Sequence, residues 1–272
     1  MRIGIEGNVV SRLAVAFAAA LGLGLALVAA PLPAMANETA PAGERSDEVR
    51  IDANDPLEDV NRVFFSVNNG IDTVLLRPVA EVYRFVIPGF GRNGIRNFLD
   101  NLATPVVFAN DVFQGEFSRA GTTAARFGIN TTIGIGGVLD PAEAWGLERH
   151  SEDFGQTLGV YGVGEGPYLY LPLLGPSPPR DLLGRGVDMA LDPINWIGGD
   201  TAEIVGISTT VLNVIDIRAR NIETLDELER SSIDYYAAVR SLYRQSRRTA
   251  IRNGEIDFER YDLPDIDPSD LD

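Results

Sequence analysis

The stretch at residues 54–76, NDPLEDVNRVFFSVNNGIDTVLL, sets the pattern that the rest of the folded chain repeats. Asp55, Pro56 and Glu58 are typical of a helix start, with Asp55 as N-cap, Pro56 as first helical residue and Glu58 closing a capping box. The apolar residues of this stretch recur at steps of three and four, which predicts one continuous stripe along a helix. The stripe consists of Leu57, Val60, Phe64, Val67, Ile71, Val74 and Leu75.

Further helical stripes lie on both sides of a glycine-rich middle. Stripes that begin at Val79 and Ile95 are expected to be separated by prolines, because proline interrupts the hydrogen bonds of a helix. The glycines at 134–137 are expected to end the helical first half, as a tight turn or a point of close backbone packing. The separating prolines are Pro78, Pro88 and Pro105, and further helices are predicted at 106–115, 117–131, 181–191, 201–218 and 224–253.

The middle of the chain has a different texture. Five glycines fall between Gly155 and Gly166, and the aromatic, apolar run of residues 168–171 follows them. This pattern indicates a short glycine-rich hairpin or loop near residues 155–172, followed by a stiff proline-rich connector at 172–179. The sequence therefore predicts a mainly α protein, a single domain of amphipathic helices over residues 55–254.

Both ends of the chain read as segments outside the folded domain. Arg2 and Arg12 flank an unbroken apolar run at 13–30, and the small residues Ala34 and Ala36 fit a cleavage site, so residues 1–36 are predicted to be a signal peptide. The alternative is an uncleaved membrane anchor, since 18 apolar residues just span a bilayer. Residues 37–54 are polar and predict a disordered lead-in, and residues 255–272, with eight acids and one arginine, predict an acidic disordered tail.

The residue inventory excludes several classes of chemistry. All 23 basic residues are arginine, there is no cysteine, and His150 is the one histidine. Lysine-dependent phosphate loops, Schiff bases, thiolate nucleophiles and Cys/His zinc sites are therefore excluded, and no catalytic residue, metal or cofactor is predicted. The net charge of −16 argues against nucleic acid as a partner. His150 lies in a charged stretch and is expected at the surface, and the kinase-like triplet at 153–155 is interpreted as accidental.

A cationic ridge is predicted on the last helix, where arginines recur at steps of four with Arg247 beside them. Two interpretations stay open: the ridge holds lipid phosphates or an acidic partner, or it is a solvated face neutralised by the acidic tail. The residues of the ridge are Arg240, Arg244, Arg248 and Arg252.

Taken in order, many short strings resemble the VacJ family, also called MlaA. They include NDPLEDVNR at 54–62, NFLDNL at 97–102, RFGINTTIG at 126–134 and DFGQTLG at 153–159. The resemblance continues through Arg180-Asp181 to Asp192-Pro193, so that it covers roughly residues 54–200 and, weakly, the last helix. Ordered matches of this number are far more specific than any single motif.

The resemblance implies a ring-like arrangement of amphipathic helices in the inner leaflet of the outer membrane, around an amphipathic channel. It further implies removal of phospholipid from the outer leaflet and its transfer to a soluble periplasmic carrier, beside an outer-membrane porin and without catalysis. Ten matching positions are candidates for the lipid path or for shaping the ring: Asn61, Arg62, Phe65, Asn97, Phe98, Asn130, Asp153, Tyr168, Arg180 and Asp181.

One feature departs from the family pattern. Family members commonly carry an acylated cysteine after the signal peptide, and this sequence has no cysteine. The protein is therefore expected at the periplasmic face of the outer membrane, held by its helices or by a porin, with a loosely attached periplasmic form as an alternative. Two alternative functions are a porin-associated scaffold without transport activity and, with less support from the residue inventory, a lipid hydrolase that depends on His150.

Overall fold

The computed structural model describes residues 54–197 and 199–254, and within them no side chain of residues 197–203. The signal peptide predicted at 1–36, the lead-in at 37–54 apart from Asn54, and the acidic tail at 255–272 lie outside the described residues and stay predictions.

The described chain is mainly helical, as predicted. A π-helical segment, Asp72–Leu76, joins the first two helices into one run, and a two-stranded hairpin interrupts the second half. The helices of the first half are α1 (Glu58–Ile71), α2 (Arg77–Val86), α3 (Gly89–Gln114), α4 (Phe117–Thr132) and α5 (Pro141–Ala144). Those that follow are α6 (Phe154–Val160), α7 (Pro179–Leu191), α8 (Ile194–Ile197), α9 (Gly199–Arg220), α10 (Ile222–Ser231) and α11 (Tyr235–Ile251).

Several predicted helix boundaries are wrong. The carboxylate of Asp55 does not cap α1, because it binds Asn61, Tyr236 and Arg240 instead. Pro105 lies inside α3 rather than at its end, so packing of α3 against its neighbours outweighs a cost of about 3 kcal/mol for an internal proline.

In the second half, the single helix predicted at 224–253 is divided between α10 and α11. The break lies where Asp234 accepts a hydrogen bond from the N–H of Ala237 and so caps a new helix.

The glycine-rich middle is only partly a hairpin. Residues 154–160 form α6, while the strands are β1 (Tyr170–Leu171) and β2 (Gly175–Pro176), with Tyr170 opposite Pro176. The predicted hairpin therefore exists, but it lies further along the chain and includes part of the proline-rich connector. Gly175 has a φ of 68°, a backbone conformation that glycine adopts without steric cost.

Contacts between the helices form a closed circuit. Helix α1 packs on β1 and on α11, α11 packs on α6, and α6 packs on α3. From there α3 packs on α9, α9 packs on α2, and the π-helical segment returns to α1. Helices α4 and α7 lie against α3 and α6 at the side of this circuit. The mainly α fold and its ring-like arrangement thus agree with the expectation from the resemblance.

The distribution of polar and apolar residues is the reverse of that in a soluble globule. Within the described chain, buried polar and charged residues are at least as many as buried apolar ones. Meanwhile Phe85 is 90% exposed and Phe90 81% exposed. Large apolar patches on a surface mark contact with a membrane or another protein. No helix in the described ranges is long and apolar enough to span a bilayer.

Helix α2 shows this reversal most clearly. Ala80 and Tyr83 lie on its inner side and pack against Ala219 and Ile222. Its other side, together with the first turn of α3, exposes large apolar side chains, although Glu81 is exposed as well. We call this exposed surface the outer apolar face; it consists of Val79, Val82, Phe85, Val86 and Phe90.

Candidate functional site

A polar cavity lies between α3, α4 and the loop at 140–151. Its volume of about 260 Å³ is below the range of roughly 300–1,000 Å³ typical of pockets that enclose a whole drug-sized ligand. It therefore suits one polar group better than an entire lipid. The lining residues on which the charge balance depends are Asn97, Asp100, Arg126, Asn130, Asp140 and Arg149.

Charges of both signs meet in this cavity. Arg149 donates hydrogen bonds to Asp140 Oδ2 at 2.8 Å and to Asn97 Oδ1 at 2.8 Å, and it also pairs with Asp100. Arg126 donates to the same Oδ2 of Asp140 at 2.7 Å. The cavity therefore carries two arginines and two aspartates, a neutral arrangement that offers donors and acceptors side by side. Such a wall matches a headgroup that has a phosphate and an ammonium.

Asp140 organises the cavity. It accepts hydrogen bonds from Asn130 Nδ2 at 2.8 Å and from the N–H of Glu143, so that it also caps α5. Burial by itself would raise the pKa of Asp140, but hydrogen bonds from Arg149, Asn130 and Arg126 outweigh burial and hold that pKa well below its usual range. Asp140 is thus ionised at neutral pH and keeps both arginines in place.

The prediction that His150 is a surface residue is wrong. Its side chain is 15% exposed, and its Nε2 lies 3.0 Å from both carboxylate oxygens of the fully buried Asp111. Thr123 Oγ1 approaches the same nitrogen at 3.2 Å. A catalytic triad uses both ring nitrogens, one for the carboxylate and one for the nucleophile. The printed side-chain contacts of His150 within the described residues all lie at Nε2, so they do not form the two-nitrogen arrangement of a triad.

Behind His150 lies a buried polar network that the sequence did not predict. Glu152 accepts hydrogen bonds from Gln114 at 3.0 Å and from Arg119 at 2.6 Å. Thr157 donates to Asn110, whose amide reaches Asp188 at 3.0 Å. Burial raises the pKa of both Glu152 and Asp188. The side chains of these residues connect α3, α4, α6 and α7. In the sequence, the dense charges at 148–153 were the only sign of this network.

The arginine ridge on α11 faces inward at its first half. Arg240 pairs with Asp55 at 2.7 Å, and Arg244 pairs with Glu165; their side chains are only 14% and 12% exposed. The interpretation as a solvated face is therefore wrong for these two residues, because their charges are matched within the body. Arg248 and Arg252 are exposed, and for them contact with a headgroup or partner stays a prediction.

Arg247, which the ridge pattern left aside, joins three helices. It donates to Asp153 Oδ1 and to Asp181 Oδ1, each at 2.9 Å. Asp181 also accepts from Arg180 at 2.9 Å and from the hydroxyl of Tyr243 at 2.6 Å. Burial would raise the pKa of both aspartates, but these donors lower it below the usual range. The predicted residues Asp153, Arg180 and Asp181 thus form a joint between α6, α7 and α11.

Glycine allows this joint to close. A Cβ on Gly184 would lie 2.3 Å from the backbone nitrogen of Gly155, and a Cβ on Gly155 would lie 2.8 Å from Asp181 Oδ1. The triplet at 153–155 therefore has a packing role: Asp153 caps α6 by accepting from the N–H of Gln156, and Gly155 admits α7. Its likeness to the kinase motif is accidental, as expected.

A second set of predicted residues holds α1 against the hairpin and α11. The amide of Asn61 donates to the carbonyl of Tyr168 at 3.0 Å and accepts from the N–H of Tyr170 at 2.9 Å. Phe65 meets Tyr170 and Tyr236 edge-on at 5.4 and 5.5 Å between ring centres. Arg62 pairs with Glu58 and Asp234 over the Tyr236 ring.

The candidate positions therefore separate into three groups. Asn97 and Asn130 line the cavity, and Phe98, 36% exposed, lies at the apolar surface. The remaining seven, described above, lie in the contacts that hold the helices and the hairpin together, which we call the frame. Sequence matching could not separate these groups, because a frame residue and a cavity residue both appear as polar or aromatic letters in a matching string.

The sequence also matches a known protein family. A sequence model of the family described as MlaA lipoprotein matches residues 53–250. This chain belongs to the MlaA lipoprotein family. Helices α1 to α10 lie within the matched range, and so do the cavity and the joint.

Relatives in the family match over most of their length. The intermembrane phospholipid transport system lipoprotein MlaA of Haemophilus influenzae is 36% identical over 218 residues, which cover 78% of this chain and 85% of the relative. The protein of the same name from Escherichia coli K12 is 36% identical over 206 residues, with 74% and 80% covered. The predicted resemblance is thus confirmed.

A solved structure is similar as well, with a TM-score of 0.63 and 35% identity over 72% of this chain and 98% of that one. It comes from work on the structural basis for maintenance of bacterial outer membrane lipid asymmetry. The MlaA relatives are named lipoproteins, whereas the 272 residues of this chain contain no cysteine to which a lipid could be attached.

Proposed function

We propose that this protein transports phospholipid at the bacterial outer membrane and so maintains the lipid asymmetry of that membrane. The observation that carries the proposal is a charged, neutral-overall cavity inside a molecule that exposes many large apolar side chains. A lipid leaflet can accept the outer surface, while the cavity offers a headgroup the polar contacts that the hydrocarbon layer lacks.

In this proposal Arg149 and Arg126 contact the phosphate of the headgroup, while Asp100 and Asp140 contact its ammonium. The two arginines are already held by Asp140, so they are ordered before the ligand arrives and lose little entropy on binding. Binding that is shared among several moderate contacts also permits release, which a carrier requires.

We further propose two protein partners and a location. The protein lies at the periplasmic face of the outer membrane, takes phospholipid from the outer leaflet beside a porin, and delivers it to a soluble periplasmic carrier. The outer apolar face also suits the wall of a porin, which supports a second candidate, a porin-associated scaffold without transport activity.

The test fills the cavity without removing any of its polar groups. Ala103 lines the cavity and is exposed, so Ala103→Trp blocks it with little strain. Ala125, exposed on α4 and not among the lining residues, gives the matched control Ala125→Trp. Each full-length variant is expressed in a host that lacks its own family member, and outer-leaflet phospholipid is measured by headgroup labelling.

We expect the unchanged chain and Ala125→Trp to lower outer-leaflet phospholipid, and Ala103→Trp to leave it raised. Equal activity of the two tryptophan variants would contradict the role of the cavity. A porin complex that forms normally, with no effect of any variant on leaflet composition, would favour the scaffold.

A further inference from the structure

A second polar pocket lies at the first two turns of α3, and it shares no lining residue with the cavity. The end of α2, the first two turns of α3 and the junction of α9 with α10 enclose about 190 Å³. Four arginines and two acids line this space, which leaves two positive charges in excess. We call it the arginine pocket; its charged residues are Arg84, Arg92, Arg96, Arg220, Asp216 and Glu223.

One buried carboxylate holds two of the arginines. Asp216, whose side chain is 2% exposed, accepts from Arg220 Nε at 3.0 Å and from Arg96 Nε at 3.2 Å. The hydroxyl of Tyr83 donates to it at 3.1 Å. Because Asp216 binds the Nε side of each guanidinium, the arrangement fixes two cations next to each other, and one carboxylate compensates only one of them.

The other two arginines are less constrained. Arg84 pairs with Glu223 at 2.6 Å. The side chain of Arg92 has no hydrogen-bond or ion-pair partner within residues 54–197 and 199–254, and its guanidinium lies over Gly89. The contrast is with Arg247, which has two carboxylates for its one charge. Among its own lining residues the pocket thus has more arginines than carboxylates, and Asp100 of the cavity interacts with Arg96 and Arg220 from outside that lining.

Clustered guanidiniums of this kind suit a phosphate, since each can give two parallel hydrogen bonds to a phosphate oxygen pair. The first turn of α3, which lines the pocket at Gly89, has no side-chain cap, so its N–H groups add to the donors. A phosphate monoanion or dianion would neutralise the excess charge of the pocket.

The surroundings indicate where such a phosphate comes from. An open groove lies next to the pocket, lined by the charged residues Glu81, Arg84 and Glu223 and by the apolar residues Phe85 and Ile222. Phe85 and Phe90, the most exposed aromatic residues of the outer apolar face, lie on the two sides of the chain bend that carries the pocket. A phosphate in the pocket therefore has the exposed rings of Phe85 and Phe90 close by, and these suit an acyl chain.

We propose that the arginine pocket binds the phosphate of an anionic phospholipid, whose acyl chain lies against Phe85 and Phe90 of the outer apolar face. This site is separate from the transport cavity and does not depend on transport. It would hold the protein to its leaflet through a headgroup, a form of attachment that requires no cysteine.

The test compares two pocket variants with one control of equal charge change. Arg92→Gln and Asn93→Asp each lower the charge of the pocket by one, and neither breaks an ion pair of the described structure. Arg230→Gln makes the same change at an exposed site outside the pocket. The full-length proteins are titrated at 0.15 M salt, on the order of physiological ionic strength, with vesicles of phosphatidylcholine alone or with phosphatidylglycerol. Circular dichroism of each variant checks the fold.

We expect tighter binding to the anionic vesicles, a preference that falls about fivefold in each pocket variant and is kept in Arg230→Gln. Equal losses in all three variants would mean general surface charge and would overturn the site. If millimolar inorganic phosphate abolishes the preference of the unchanged protein, the pocket takes free phosphate and the lipid assignment is wrong. Failure of both pocket variants to fold would show that these side chains serve the frame, which also overturns the proposal.

Discussion

The joint between α6, α7 and α11 places Asp181, Arg180 and Arg247 away from bulk water, whereas the outer side of α2 leaves Val82, Phe85 and Val86 exposed. In water, both arrangements cost free energy: buried charges lose hydration, and exposed apolar groups order solvent. In a lipid layer the costs change. The apolar side is solvated by acyl chains, and the charged joint becomes the part that has to be internally complete.

The completeness of the joint explains why its charges are balanced. Two arginines meet two aspartates, and Tyr243 supplies a further donor to Asp181. The arginine pocket beside the outer apolar face lacks this balance. The joint is complete without a ligand, whereas the arginine pocket keeps an excess of arginines over carboxylates among its lining residues.

The largest expected effect comes from breaking the joint. Arg247→Gln leaves the buried carboxylate of Asp181 and the partly exposed carboxylate of Asp153 without their shared cation, and loss of a partner from a buried ion pair costs about 3–5 kcal/mol. Arg248→Gln, the exposed neighbour on the same helix, should change the free energy of unfolding by less than about 0.5 kcal/mol. Urea unfolding in detergent micelles measures both. Similar losses in the two variants would contradict the difference between inner and outer arginines.

A slightly smaller effect is expected from Gly184→Ala. The new Cβ would collide with the backbone of Gly155. Because backbone atoms cannot rotate away as a side chain can, α6 and α7 must separate, at a cost of about 3 kcal/mol. Gly186 lies in the same helix with nothing within 4 Å of its Cβ position, so Gly186→Ala should stabilise the protein by roughly 0.5–1 kcal/mol. Opposite signs are therefore predicted for two alanines two residues apart, and equal signs would be incompatible with the packing.

Breaking the outer side should affect membrane binding and leave stability unchanged. Phe90→Ser removes an apolar group worth roughly 1.5–3 kcal/mol when buried, so affinity for vesicles should fall about tenfold or more. Phe90→Leu, which keeps the group apolar, should bind nearly as the unchanged protein does. Vesicle flotation measures binding, and urea unfolding in micelles is the check on stability. A large loss of stability in Phe90→Ser would place this ring in a core.

The smallest effect is on the pH dependence of stability. The pKa values of Asp153 and Asp181 are lower in the folded protein than in the unfolded chain, so their stabilisation is complete above about pH 5 and is lost as the pH falls. In Arg247→Gln this loss should be smaller, because the arginine is one of the groups that lower both pKa values. Unfolding curves between about pH 6 and pH 3 test the difference, and parallel curves would mean that Arg247 does not set these pKa values.

Local sequence signals predicted the helices well where one residue type decides the backbone. The turn at 134–137 is an example, since a Cβ on Gly137 would collide with Asn101. Signals that depend on distant partners failed. Asp55 has the right neighbours for an N-cap, yet it lies beside Tyr236 and Arg240, whose positions 181 and 185 residues away no local pattern contains.

The candidate site was predictable in part. Asn97 and Asn130 came from matching strings, but Arg126, Asp140 and Arg149 became site residues only when α3, α4 and the following loop were brought together. The inward turn of Arg240 and Arg244 was not predictable either, because a four-residue spacing defines a helix face without showing what that face contacts. Family resemblance supplied the fold and the function class, and the contacts supplied the roles.

The most direct measurement uses the absence of cysteine, which allows one spin label at a time on the full-length chain. Labels at Phe85→Cys and Phe90→Cys on the outer apolar face, and at Ala103→Cys in the cavity, are compared in vesicles by their collisions with oxygen and with a water-soluble nickel chelate. We predict that oxygen dominates at 85 and 90 and the chelate at 103, because the face lies in acyl chains and the cavity is wet. Chelate collisions at 85 and 90 as frequent as at 103 would contradict the account.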